Sequence, residues 1–448
     1  MFGTVGTHMN ARNDENRPVS PSYKWWVVGM LWFICFFNYA DRQAISVVLP
    51  ELKREFGFSE TQLGLISSAF GYVYGSCALF AGFVADRTAR RHLILGGCIF
   101  WSFVTVLTGW CSKLWHFVTV RALEGLGETF YFPASMSLVS DYHSKATRSR
   151  AMSLHQSSVY AGTVLGSWIG AWLAMHHGWR WGFYLFGAGG LVIAVVMYAF
   201  LREPRRGQSE GEVVVEDSPG FLVAVGDVLR APTAWALMAV FVGANFVATI
   251  FLSWTPSFLV DKFGFKLTTA GLSGAAFIHL ASAVSVPWAG VLADWLARKH
   301  VAGRMIVQAG GLMVGAGFVY MVGATRDVTT LLVCMTCFGI CKGFYDAGIF
   351  ASLYDVVPAR SRATAAGLMN TVGWGLGSFG PFLTGWYADH GPHGSAIENK
   401  SHFISGSSLA YAGGAVVLVL AAAWWVKRDA ARAAGRPSPD STGAGSGR

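Results

Sequence analysis

The chain has 448 residues, of which 53% are hydrophobic and only 13% charged, with a mean hydropathy of +0.43 and a formal net charge of +9. Soluble domains carry about 25% charged residues, so this composition excludes water as the main solvent. It excludes an ordinary soluble enzyme or scaffold with it.

Apolar runs close to the ~20 residues that a bilayer core requires of a helix recur along the sequence. The predicted spans are 25–50, 62–86, 93–112, 115–140, 150–176 and 180–201, then 233–260, 270–297, 304–324, 328–354, 362–388 and 407–426. The expected architecture is therefore an all-α membrane protein with twelve transmembrane helices in two six-helix bundles. The divisions are an N-terminal segment 1–24 without a cleavable leader, a first bundle 25–201, a linker 202–232, a second bundle 233–426 and a disordered tail 427–448.

The basic residues explain the net charge. With both termini cytoplasmic, the cytoplasmic segments carry 23 of the 34 Lys and Arg, the external loops carry eight, and Arg42, Arg121 and Lys342 fall inside spans. That asymmetry follows the positive-inside rule. It makes nucleic acid an unneeded partner. Seven cysteines lie in or beside apolar runs. Cys334, Cys337 and Cys341 have helical spacing but no His or carboxylate completing a tetrahedral set, so they are read as packing residues, with no metal or cofactor.

The first span contains Asn38-Tyr39-Ala40-Asp41-Arg42-Gln43, and the fourth contains Arg121, Glu124 and Glu128. A charge at the centre of a span costs ~2.5–3.5 kcal/mol on insertion scales, so each needs a reason. Arg121 and Glu128 are seven residues apart and share one helix face, with Glu124 on nearly the same stripe. One reading is a set of structural ion pairs between helices. The other is a proton-coupled anion site. There Arg42 or Arg121 grips a carboxylate or phosphate bidentately. Asp41 or Glu128 carries the proton, because apolar surroundings and a nearby guanidinium pull a carboxyl's proton affinity in opposite directions. In the tenth span, Lys342 and Asp346 are four apart and are expected to pair with each other. Asn245, His279, Asn370, His155 and Gln156 are expected to make interhelical hydrogen bonds. Tyr39, Tyr72, Tyr131 and Trp374 are expected to pack, or else to line a cavity.

The two halves echo each other. Gly82-Phe-Val-Ala-Asp86-Arg87-Thr-Ala-Arg90-Arg91 follows the second span, and Gly290-Val-Leu-Ala-Asp294-Trp-Leu-Ala-Arg298-Lys299 follows the eighth. Asp141…Arg148-Ser-Arg150-Ala and Asp355…Arg360-Ser-Arg362-Ala follow the fourth and tenth, and the fifth and eleventh are both glycine-rich.

These landmarks resemble the major facilitator superfamily, with Ala89 where the family usually has Gly. The resemblance implies two pseudo-symmetric bundles rocking about a midplane site. It also implies that Gly82, Asp86, Arg87, Arg90, Arg91 and Asp294 form a cytoplasmic gate between the halves. Asn38-Tyr39-x-Asp41-Arg42 with Arg121…Glu128 resembles the anion:cation symporters more closely. Glu128-Thr-Phe-Tyr-Phe-Pro133, Gly178-Trp179-Arg180-Trp181 and Ser67-Ser68-Ala69-Phe70 point the same way. On that likeness Arg42, Arg121, Tyr39 and Asn38 hold substrate, while Asp41, Glu128 and Glu124 couple protons. Arg202-Glu203-Pro204-Arg205 and Pro358-Ala-Arg-Ser-Arg362-Ala-Thr resemble instead the Spinster-like lysolipid and sphingolipid transporters, the second choice.

An integral membrane enzyme is disfavoured, because no Gly-Lys dipeptide offers a phosphate loop and no His-Glu pair offers a zinc-protease helix. A transport-derived sensor would lack an output domain. The expectation is a monomeric, multi-pass inner-membrane symporter for protons and a small anionic molecule.

Overall fold

The structure is a computed structural model describing residues 22–204, 221–358 and 361–434, apart from the side chains at 82–83, 85–87, 145–146, 149 and 363. The first half contains α1 (Tyr23–Phe56), α2 (Glu60–Arg87), α3 (Arg90–Thr108), α4 (Leu114–Glu128), α5 (Tyr131–Tyr142), α6 (Lys145–His176) and α7 (Arg180–Phe200). A short α8 (Phe221–Leu229) precedes the second half. That half contains α9 (Pro232–Phe263), α10 (Leu267–Lys299), α11 (Gly303–Ala324), α12 (Val328–Asp346), α13 (Ile349–Val356), α14 (Arg362–Gly377), α15 (Phe379–His390), α16 (Ala396–Trp424) and α17 (Val426–Ala433).

These helices make the twelve expected spans, six to each half. The fourth, tenth and eleventh spans are each divided in two, as α4–α5, α12–α13 and α14–α15. By length and apolar content alone, eight spans stand out among the described residues. The first, fourth, fifth and eleventh fall outside that set. Helix ends follow local chemistry. Ser59 and Gln62 form a reciprocal capping box at α2. Gly57 (φ 67°) and Gly264 (φ 68°) end α1 and α9 in the left-handed region, so the first and seventh spans stop in the same way.

The same symmetry governs packing. A Cβ on Gly166 of α6 would lie 2.4 Å from Ala40 Cα of α1, and one on Gly377 of α14 would lie 2.6 Å from Asn245 Cβ of α9. Small residues let backbones approach where lipid gives no hydrophobic drive to association.

The starts of α1, α3, α6, α9, α11 and α14 define one face of the bundle, here the connector face because the chain crosses between the halves there. The opposite, far face is where the halves are tied by charge. Lys400 of α16 reaches Glu60 of α2 at 3.0 Å and Asp261 of α9 at 3.5 Å. Asp389 of α15 accepts from Thr61 N at 2.7 Å and from Thr61 Oγ1 at 2.6 Å. Sequence reasoning missed this cluster, since each of its members sits at a helix end where a charge needs no explanation.

On the connector face, the described members of the expected gate find partners within their own halves. Arg90 donates to Asp141, Ser137 and Glu203, and Arg91 to Tyr198 O. Asp294 pairs with Arg304, which also reaches Asp355 at 2.6 Å. Among the described residues these contacts tie each half to itself, not one half to the other. Gly82, Asp86 and Arg87 lie outside the residues whose side chains are described. The linker carries a short helix, and the start of the tail is ordered where disorder was expected. Residues 221–229 and 426–433 are helical. Asp429 of α17 accepts from Thr233 N at 2.9 Å, and Arg432 donates to Arg230 O at 2.8 Å. These tertiary bonds hold a short polar helix that composition alone reads as disordered.

Candidate substrate and coupling site

Asn38, Tyr39, Asp41 and Arg42 lie near the middle of α1, and α4 faces them with Arg121, Glu124 and Glu128. Asp41, Arg42, Arg121, Glu124 and Glu128 are all buried. Arg42 Nε lies 3.1 Å from Glu128 Oε2, Nη2 contacts the same oxygen, and Asn38 Oδ1 accepts from Nη2 at 3.4 Å. Arg121 pairs with Glu124 one turn further along its own helix. The seven-residue spacing placed Arg121 and Glu128 on one face. The structure gives each a different partner, Arg42 of α1 for Glu128 and Glu124 for Arg121.

Asp41 meets no guanidinium among the described residues. Thr105 of α3 sits between two carboxylates, with its Oγ1 3.2 Å from Asp41 Oδ2 and 3.5 Å from Glu124 Oε1. Thr108 adds a bond to Glu124 at 3.3 Å. Phe70 of α2 lies beside both guanidiniums, 4.4 Å from Arg42 Cζ and 4.9 Å from Arg121 Cζ. Tyr39 lies beside Arg42 at 4.5 Å. Such cation–π contacts gain strength away from water. Asn38 Nδ2, Asp41 Oδ1, Arg121 Nε and Glu128 Oε1 are buried without a hydrogen-bond partner. Buried polar atoms are ordinarily satisfied, so four unsatisfied ones in one cluster set this region apart from the surrounding packing.

The cluster borders a cavity of about 220 Å³ between the halves. Tyr39, Arg42 and Gln43 of α1 and Gln156, Tyr160 and Thr163 of α6 line one side. Asn245 of α9, His279 of α10, Lys342 and Asp346 of α12 and Trp374 of α14 line the other. A recess of about 30 Å³ continues past Arg42 and Trp374 to Arg121. Arg42 and Tyr39 thus face the main cavity and Arg121 its side recess. Asn38 braces Arg42 from behind, and Asp41, Glu124 and Glu128 line neither space.

Lys342 and Asp346 do pair, as their spacing predicts, and both face the cavity. Of the polar residues expected to hydrogen-bond, His155 does so across helices to Tyr131, while Asn245 donates to Phe241 O within α9. Gln156 and His279 line the cavity, as does Trp374. Tyr131 is buried against Leu31 O, and Tyr72 packs on Phe379. Gln43, Tyr160 and Thr163 were missed. The available signal was the polarity of α6, which carries Gln156, Tyr160, Thr163 and Ser167 through its centre.

Two six-helix halves enclosing a charged midplane cavity define a membrane transporter. The chain belongs to the Major Facilitator Superfamily, whose model matches residues 31–381. It is 28% identical over 374 residues to the probable L-galactonate transporter of Escherichia coli strain K12, covering 80% of this chain and 82% of that protein. It is 26% identical over 381 residues to a probable galactarate/D-glucarate transporter of Bacillus subtilis strain 168, covering 79% and 83%. Protein spinster of Drosophila melanogaster is 28% identical over 379 residues, covering 81% of this chain and 61% of that one. Among solved structures, a bacterial homolog to the human lysosomal transporter Spinster superposes with a TM-score of 0.74 at 23% identity, covering 94% of this chain and all of the other. At that identity the likeness shows the fold.

Proposed function

We propose that the protein is a proton-coupled symporter for a small organic anion of the sugar-acid type. It works as a monomer in the inner membrane, with the connector face and both termini cytoplasmic. The observation that carries this reading is Arg42, whose guanidinium borders the cavity while its counter-charge, Glu128, lies behind it. A carboxylate arriving from the cavity meets the cation first. Arg42 holds it, with Tyr39 flanking, and Arg121 offers a second guanidinium through the side recess.

The proton follows from charge balance. Asp41, Glu124 and Glu128 outnumber Arg42 and Arg121 by one, and a single proton on one carboxylate makes the cluster neutral. Substrate drawn to Arg42 competes with Glu128 for the guanidinium, so proton and anion occupancy report to each other. Orientation rests on the basic-residue asymmetry. A cavity of about 220 Å³, below the ~300–1,000 Å³ of pockets for drug-sized ligands, supports a small substrate over a lipid.

The test is a proteoliposome recording of internal pH while a panel of sugar acids, and separately a fluorescent lysolipid, is added outside. Sugar-acid addition that acidifies the lumen, with no lysolipid uptake, is the expected result. Lysolipid uptake without any anion-dependent pH change contradicts it.

A further inference from the structure

We infer that the Lys342–Asp346 pair receives the hydroxylated end of the substrate, so that this protein carries monocarboxylates with a polyol chain and rejects dicarboxylates of equal length. This rests on the reading of Arg42 as the carboxylate contact.

The two ion pairs at the cavity are exposed to different degrees. The side chains of Arg42 and Glu128 are 5% and 1% exposed, whereas those of Lys342 and Asp346 are 20% and 34% exposed. Glu128 does not line the cavity and Asp346 does. At the α1 wall the cavity therefore meets a cation whose partner is hidden. At the α12 wall it meets both signs together, an ammonium with donors left over and a carboxylate with lone pairs left over. A hydroxyl, which donates and accepts, matches that wall. A second carboxylate would meet Lys342 only alongside the unhidden negative charge of Asp346, which opposes it, whereas the counter-charge of Arg42 is hidden. Gln156, Asn245 and His279 add neutral partners around the same space. Because Arg42 belongs to the first half and Lys342 to the second, a substrate held at both ends bridges the elements that must move together.

The experiment compares uptake of galactonate, galactarate and the neutral galactitol by the full-length protein in proteoliposomes. These six-carbon probes carry one, two and no carboxylates. Wild type should favour galactonate over galactarate by at least about tenfold and leave galactitol outside, because like-charge juxtaposition is unfavourable. Asp346→Asn removes the repelling charge and frees Lys342, and should raise the galactarate-to-galactonate ratio several-fold. Lys342→Gln should raise KM for galactonate without abolishing uptake. Equal wild-type rates for the two anions, or an unchanged ratio in a folded Asp346→Asn, overturns the inference, and the wild-type ratio is informative even if the variant does not fold. Arg42→Ala separates the two levels. If it retains galactonate uptake, or wild type takes up neither anion, the Arg42 reading falls and this one with it. If Arg42→Ala loses uptake while the anion ratio fails its test, only the present inference falls.

Discussion

Lys400 and Glu60, 340 positions apart in sequence, meet at 3.0 Å on the far face and join the two halves through almost fully buried side chains. Glu60 also meets Lys53 at 2.7 Å and Lys400 also reaches Asp261 at 3.5 Å, so losing one member leaves the other a second partner but loosens the tie between the halves. Glu60→Gln and Lys400→Met should therefore each shift the protein toward opening at the far face. A cysteine at Thr249, which lines the cavity, should then react several-fold faster with an impermeant maleimide added from that face. The double variant should fall between wild type and either single. Unchanged reactivity in both singles would mean that the pair does not hold the closure.

Close packing of α1 on α6 makes a second prediction. Gly166→Ala places a Cβ 2.4 Å from Ala40 Cα, whereas one at Gly29 meets nothing within 4 Å. Alanine is intrinsically favoured over glycine in a helix by about 1 kcal/mol, so only the clash can make it harmful. Thermal denaturation in detergent should show a clearly lower Tm for Gly166→Ala and no loss for Gly29→Ala. Equal behaviour of the two would place the interface elsewhere.

The helix at the C-terminal end of the second half is the third. Asp429 is buried and accepts from both Thr233 N and Thr233 Oγ1. Asp429→Ala leaves that amide without its partner, and hydrogen bonds to a charged group are worth about 1.5–3 kcal/mol. A measurable drop in Tm is expected with transport kinetics retained in the folded fraction. No drop would show that α17 is not fastened at this point.

Topology gives the fourth. Ser144 lies on the connector face and Ser112 on the far face, and both are exposed. In intact cells a cysteine at Ser112 should take up an impermeant reagent, and one at Ser144 should do so only after permeabilisation. The reverse pattern would invert the orientation.

The sequence displayed the fold because its signals are local. Span length, loop charge and each Gly-x-x-x-Asp helix end lie within some thirty residues. The charged cluster was legible for a related reason: Asp41, Arg42, Arg121, Glu124 and Glu128 stand out against apolar helices, where a charge is costly. Their pairing was not legible. Helical spacing put Arg121 and Glu128 on one face, and only the crossing of α1 against α4 shows that Arg42 takes Glu128 while Arg121 takes Glu124. The partners that Arg90 and Asp294 take on the connector face, Asp141 and Arg304, arise from tertiary folding and were not legible either. The Lys400–Glu60 tie was invisible for the same reason.

Coupling is the centre of the account, and Glu128 is where it is most exposed to test. Glu128→Gln keeps a hydrogen-bonding partner for Arg42 but removes the charge cycle. In proteoliposomes, uphill uptake of galactonate driven by a pH gradient should vanish, while counterflow of labelled for unlabelled galactonate survives. Asp41→Asn is compared in the same assay, and the split need occur in only one of the two. Uphill uptake retained in both variants, or both activities lost together with thermal stability, would contradict a proton-coupling role for this cluster.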